Sequence, residues 1–416
     1  MNPKFSFLSL LLLVLFSAQT AFATEPTVEE MRSMGPAGLQ MLMTRYAGEI
    51  NRHIANPSLA SDEEWQRITT ALDTVAQQKN SYISGLYWYT DFESAKRASA
   101  ASGKPILSLR LLGKLTDEFS CANSRFFRTV LYPNAEVSSA LRDRFVLHWE
   151  SVRPVPTVTI DFGDGRKLER TLTGNSIHYI LDSDGRPIEA LPGLYGPKAF
   201  LRGLANAEAL FKSLAGKIEQ QRNFFSVQYY TDQNNKISAA WTVDTVKIGG
   251  NKPEGFRIVR GHNGEALGIA PLAVTKAVTE TNILRAMTAA TEELGKITDE
   301  AAWRKIAQLH ASDAVLDERS ISLIKRQNPA LTDQEFTGLL QKFQELIALD
   351  TVRNEYLLHT KLYTWFVKDP VRDDVEKLNE QVYAKLFLTP RSDPWLGLFS
   401  TDLYTALDNG GVVKPH

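Results

Sequence analysis

Hydrophobic and polar positions change period several times along this 416-residue chain, and each change marks a change of element. Residues 25–79 follow a helical period. Thr27-Val-Glu-Glu30 has the spacing of a capping box, and Leu39, Met41, Leu42, Tyr46 and Ile50 recur behind it. Ser61-Asp-Glu-Glu64 opens a second helix carrying Trp65, Ile68, Leu72 and Val75. From Trp88 the texture alternates. A short Ala- and Ser-rich helix, Asp91 to Ala101, is closed by Gly103, and Pro105 to Arg110 reads as a buried strand. Helices are expected near Cys121 to Leu131 and over Asn134 to Arg142, then a strand over Phe145 to Trp149. Gly163-Asp-Gly165 between the alternating runs 155–162 and 167–172 is a hairpin signal. Ile177 to Leu181 turns through Asp182-Ser-Asp-Gly185 into Pro187 to Leu191, and Pro197 suits the first position of a closing helix.

Beyond residue 217 the pattern weakens. Polar stretches and Gly249-Gly-Asn-Lys-Pro253 predict a linker or long loop. The helical period then returns. Thr332-Asp-Gln-Glu335 is a capping box, with Phe336, Leu339, Leu340, Phe343, Leu346 and Ile347 behind it. The stripe continues through Tyr356, Leu357, Leu362 and Phe366 to a stop at Asp369-Pro370. The turn-rich, aromatic tail Pro390 to Tyr404 is expected to pack on a core.

The start of the chain has a different pattern. Lys4, the apolar run Phe5 to Phe16 and the small-residue site Ala21-Phe22-Ala23 read as a signal peptide, so the mature chain is expected to begin at Thr24 in a periplasmic or secreted compartment. No later stretch is apolar enough to cross a membrane, so none is expected to insert after signal removal. The expected organisation is a signal peptide over 1–23, a helical extension over 24–84, an α/β domain over 85–215, a linker or irregular segment over 216–275, and a helical domain over 276–416.

Charge and cysteine count narrow the chemistry. Lys and Arg number 47 against 48 Asp and Glu, so no basic footprint for nucleic acid exists. One cysteine excludes an internal disulfide framework, a cysteine-based zinc site and an iron–sulfur cluster. Glu355 and His359 are one helical turn apart, but no third metal ligand is legible, and neither a metal nor a cofactor is expected. His148 and His178 fall on strands expected to be neighbours, where they could approach Cys121 as bases, but a strand histidine is more often packed or at the surface, and catalysis is not expected of them. Asp161-Phe-Gly163 matches the kinase triplet but lies at a hairpin without the other kinase motifs.

Order and spacing carry a further reading. Trp88, Ala95-Lys96 and Ser102-Gly-Lys-Pro105 precede the first strand. Cys121-Ala-Asn-Ser124 opens the next helix, and Asn134 to Val137, Phe145-Val146, Ile177 to Asp182, Gly185, Gly193 and Pro197 to Leu204 follow in turn. The segment Trp88 to Leu204 thereby resembles the thioredoxin-like superfamily, specifically exported thioredoxin-domain proteins, with a degenerate Cys-x-x-Ser motif. The resemblance implies an α/β fold with a mixed sheet flanked by helices, a redox position at Cys121 with Ser124 beside it, and substrate contacts at Asn175 and Ser176.

Three features depart from the family: Ser124 replaces the second cysteine, Ser176 stands where a cis-proline is usual, and a hairpin over 155–173 replaces a helix. A thiol at a helix start faces unpaired N–H groups, which lowers its pKa from ~8.5. The expected function is monothiol disulfide exchange or thiol redox sensing with a protein partner or a low-molecular-weight thiol. The alternative is a non-catalytic binding or scaffold protein, and a buried thiol would favour it.

Overall fold

The computed structural model describes residues 26–172, 174–249, 294, 298–369 and 374–396, with 406, 407, 409 and 412. The segment over 1–23 expected to be a signal peptide, the stretch from Gly250 onward in the expected linker, and residues 397–404 of the tail lie outside the described residues.

The N-terminal helices are α1 (Val28–Ser33), α2 (Pro36–Arg45), α3 (Ala47–Ala55), α4 (Glu63–Ala76) and α5 (Ser81–Ser84). The capping box forms at Thr27 and Glu30. Helix α4 starts one residue later than Ser61 suggests, because the Asp62 carboxylate accepts from the Trp65 N–H at 2.7 Å. Trp65, Ile68, Leu72 and Val75 are all buried, as their spacing requires. With Met31, Leu39 and Leu42 they build a separate apolar cluster. Leu323, far along the chain, is the outside residue that closes it.

Helix α6 (Phe92–Ser102) leads to β1 (Ile106–Leu112), which is buried throughout. Next come α7 (Ala122–Phe126), a π-helical turn (Phe127–Leu131), α8 (Ala135–Arg144) and β2 (Val146–Arg153). Strands β3 (Thr157–Asp161) and β4 (Lys167–Thr171) form the expected hairpin, a two-stranded sheet of its own. Gly163 and Gly165 take the φ values of +76° and +91° that its turn needs. Strands β5 (Ser176–Leu181) and β6 (Pro187–Pro192) complete a mixed four-stranded sheet in the order β2-β1-β5-β6. In it β1 runs parallel to β2 and antiparallel to β5. Helix α9 (Pro197–Leu214) then covers it.

Residues 219–247 differ from expectation. They form one 29-residue helix, α10 (Glu219–Lys247), rather than an irregular segment. Its buried positions are Ser226, Tyr230, Ile237, Trp241, Asp244 and Thr245. The spacing is helical, but three of the six are polar, so a search for apolar periodicity passes over them.

The later helices are α11 (Glu300–Leu309), α12 (Glu318–Gln327), α13 (Asp333–Arg353), α14 (Thr360–Lys368) and α15 (Val375–Lys385), with a second π-helical turn at Asn354–His359 joining α13 to α14. The capping box at Thr332 and Glu335 forms, and α14 ends before Asp369 as the sequence indicates. These helices pack on the sheet itself. A single hydrophobic cluster runs from Trp88 and the strands to Leu357, Leu362, Phe366 and Val382. Polar ties cross the same seam: Tyr179 donates to Asn379 at 3.3 Å, and the Gly196 N–H donates to Thr351 at 2.8 Å. Arg110, 1% exposed, pairs with Glu376 of α15.

Candidate functional site

The thiol stands at a helix start, as the sequence indicates. Cys121 is the N-cap of α7, and the Ser124 N–H lies 3.5 Å from its Sγ. The sulfur is nonetheless fully buried, in the same cluster as Leu115, Phe126 and Phe127. Phe119, by contrast, points outward at 46% exposure. Ser124 is also fully buried, and among the described residues its hydroxyl has no hydrogen-bond partner.

Asn175 and Ser176 sit at the start of β5 and are buried as well. Ser176 Oγ accepts from Asn123 Nδ2 at 2.9 Å, which ties it to α7. Asn175 donates to Thr389 at 3.1 Å, and its carbonyl accepts from the Tyr383 hydroxyl at 3.2 Å. The peptide bond before Ser176 is trans, as expected for a non-proline residue. Cys121, Ser124, Asn175 and Ser176 therefore all lie in the interior between α7, β5 and the C-terminal chain.

The surroundings of the thiol are strongly desolvated. Burial drives the Arg128 pKa down to about 10, and it raises the phenols of Tyr132 and Tyr383 well above their ordinary value. Arg128 donates to the carbonyls of Asp117 and Glu118, pinning the loop that precedes Cys121.

The two strand histidines do not converge. Ser108 of β1 pairs in register with His148 of β2, while the next residue, Leu109, pairs with His178 of β5. Successive strand residues point to opposite faces, so the imidazoles lie on opposite sides of the sheet. His148 holds Ser108 at 2.9 Å, and His178 holds the Tyr132 hydroxyl at 2.8 Å. Burial pushes both down to about 3, the Arg110 charge adding to it at His148.

A second polar centre was not legible in the sequence. Glu189 on β6 is 1% exposed. Its carboxylate accepts from Tyr229 at 2.8 Å, Tyr363 at 3.0 Å, His359 Nε2 at 3.2 Å and the Ala190 N–H at 2.9 Å. These four donors fill its lone-pair sites. The clue available was a carboxylate inside the otherwise apolar run Pro187 to Leu191. Beside it lies a cavity of about 60 Å³, whose lining includes Tyr195, Arg202, Glu355 and His359. Glu355 and His359 thus share a cavity but serve different partners, His359 meeting Glu189 and Glu355 lying 3.9 Å from Arg202. Arg202 is gripped by Asp313 through two bonds of 2.6 and 2.9 Å. Among the described residues no group of three or more His, Cys, Asp or Glu is disposed to hold a metal ion.

The chain matches no protein-family model, no curated protein and no solved structure.

Proposed function

We propose that this chain is a thioredoxin-like protein whose single thiol is a packing and capping residue, and that it works as a binding or scaffold protein rather than by disulfide exchange. The observation that carries this reading is the complete burial of Cys121. Disulfide exchange needs a thiolate that can approach a second sulfur in line, with room for the partner that bears it. A sulfur enclosed by side chains, beside a serine that cannot resolve a mixed disulfide, meets neither need. Support for the thioredoxin-like part is the succession of opening helix α6, strand β1, thiol helix α7, strand β2, the β5–β6 hairpin and closing helix α9.

Alkylation decides the role of the thiol. Native protein should react with iodoacetamide far more slowly than denatured protein, at a rate set by opening of the fold. Native modification at the rate of the denatured chain would overturn the reading and restore the monothiol exchanger. We also propose export, on the strength of Lys4, the apolar run and Ala21-x-Ala23. Exported material should begin at Thr24 by N-terminal sequencing, and a start at Met1 would refute it.

A further inference from the structure

The cavity beside Glu189 has a composition that selects a ligand. Its deep side is formed by Glu189, His359 and Tyr363, all nearly inaccessible, and its rim by Arg202 and Glu355, which are partly exposed. At about 60 Å³ it has room for a few waters or one solute of very few heavy atoms, since a water occupies ~15–30 Å³.

Charge in the cavity is unbalanced. Among the described residues Arg202 is the one Lys or Arg of the lining, and Asp313 already engages it in a two-pronged pair. Glu355 is left with only a 3.9 Å contact to that arginine. Glu189 faces two phenols, an imidazole and one backbone N–H. Two carboxylates therefore set the field inside, and an anion is refused.

An independent feature asks for a hydrogen-bond partner. Tyr195 lines the cavity, is 4% exposed, and its hydroxyl is buried with no partner among the described residues. The charges of Glu355 and Glu189 both act on that hydroxyl, so it lies in the field of both carboxylates. A buried, unpaired hydroxyl is destabilising unless something fills the site. The group that fits is positively charged, rich in N–H donors and small. A bare metal cation fits less well, because the Glu189 oxygens are already occupied by four donors. The ring of Tyr195 on the lining favours an organic cation, while Tyr363 is stacked on His359 at 4.2 Å.

We propose that this cavity is a binding site for a small primary ammonium ion. Its N–H groups would be shared between the Tyr195 hydroxyl and the Glu355 carboxylate, and its alkyl end would face Leu191 and Ala199. The proposal does not depend on the role assigned to Cys121, and alkylation of that thiol leaves it untouched.

Methylammonium chloride is the probe, titrated calorimetrically into the full chain with the thermal midpoint followed in parallel. Saturable binding that raises the midpoint is expected. Tetramethylammonium, which is larger and has no N–H, and sodium chloride at equal concentration should give neither effect. Tyr195→Phe and Glu355→Gln should each weaken methylammonium binding about tenfold, one charge-assisted hydrogen bond being lost. Far-UV circular dichroism checks that both variants fold, and the wild-type selectivity stands as a test if one does not. Absence of saturable binding, equal binding of tetramethylammonium, or folded variants that bind like wild type would each overturn the proposal.

Discussion

Acid should weaken this fold through its two buried strand histidines, and His178 offers the cleaner handle. Its imidazole lies among the rings of Phe127 and Phe200, at centroid distances of 4.7 and 5.0 Å, with Nε2 against the Tyr132 hydroxyl. Burial takes its pKa from 6.5 to about 3, and His148 is lowered to about 3 as well. Between those values the unfolded chain binds a proton at each site that the folded chain refuses. Stability from the neutral imidazoles is therefore complete above pH 6.5 and is lost progressively as pH falls from there toward 3. Each pKa unit corresponds to about 1.4 kcal/mol, so going from pH 7 to pH 5 costs about 2 kcal/mol per histidine and about 4 for the pair. Against a typical net stability of ~5–15 kcal/mol that is a large fraction.

Urea unfolding of wild type and His178→Phe at pH 7 and pH 5 measures it. The variant loses stability at both pH values, because the Tyr132 hydroxyl is left without its partner. Its fall between the two should nonetheless be about 2 kcal/mol smaller. Asp73, whose carboxyl is raised by burial, acts in the opposite direction and cancels in this difference. Parallel losses in wild type and variant would refute the argument.

Two further outcomes follow from packing. Gly196→Ala would place a Cβ 2.3 Å from the Asp313 carbonyl oxygen, a backbone atom that cannot swing aside, and should cost about 1–3 kcal/mol by urea titration; a neutral result would mean that α9 does not abut the 3-10 turn Ala311–Ala314. Arg128→Met removes the donors to the Asp117 and Glu118 carbonyls and should cost about 2–4 kcal/mol, with faster alkylation of Cys121 as the loop loosens; unchanged stability and unchanged alkylation would show that the guanidinium does not hold the loop.

What the sequence revealed depended on how locally each feature is encoded. The capping boxes at Thr27 and Thr332 and the Gly163-Asp-Gly165 turn are written within a few residues, and all three form. Helix α10 escaped because its buried seam carries Ser226, Asp244 and Thr245 in places where apolar side chains are sought. Which side of the sheet each histidine takes depends on register, which a strand pattern alone does not set, and a shift of one residue reverses it. The Glu189 centre was invisible for another reason. Glu189 and His359 are 170 residues apart, and nothing in the sequence near either residue points to the other.

The reliance of the sheet on the C-terminal helices has a consequence for biosynthesis. Tyr179 on β5 meets Asn379 on α15 across 200 residues, Asn175 meets Thr389 across 214, and Arg110 meets Glu376 across 266. At ~5–20 residues per second, the strands leave the ribosome on the order of 10–40 seconds before the helices that bury them. Throughout that interval one side of the nascent sheet lacks its cover. A sheet still waiting for that cover can pair with another chain instead, so the C-terminal helices protect the strands as well as completing their core.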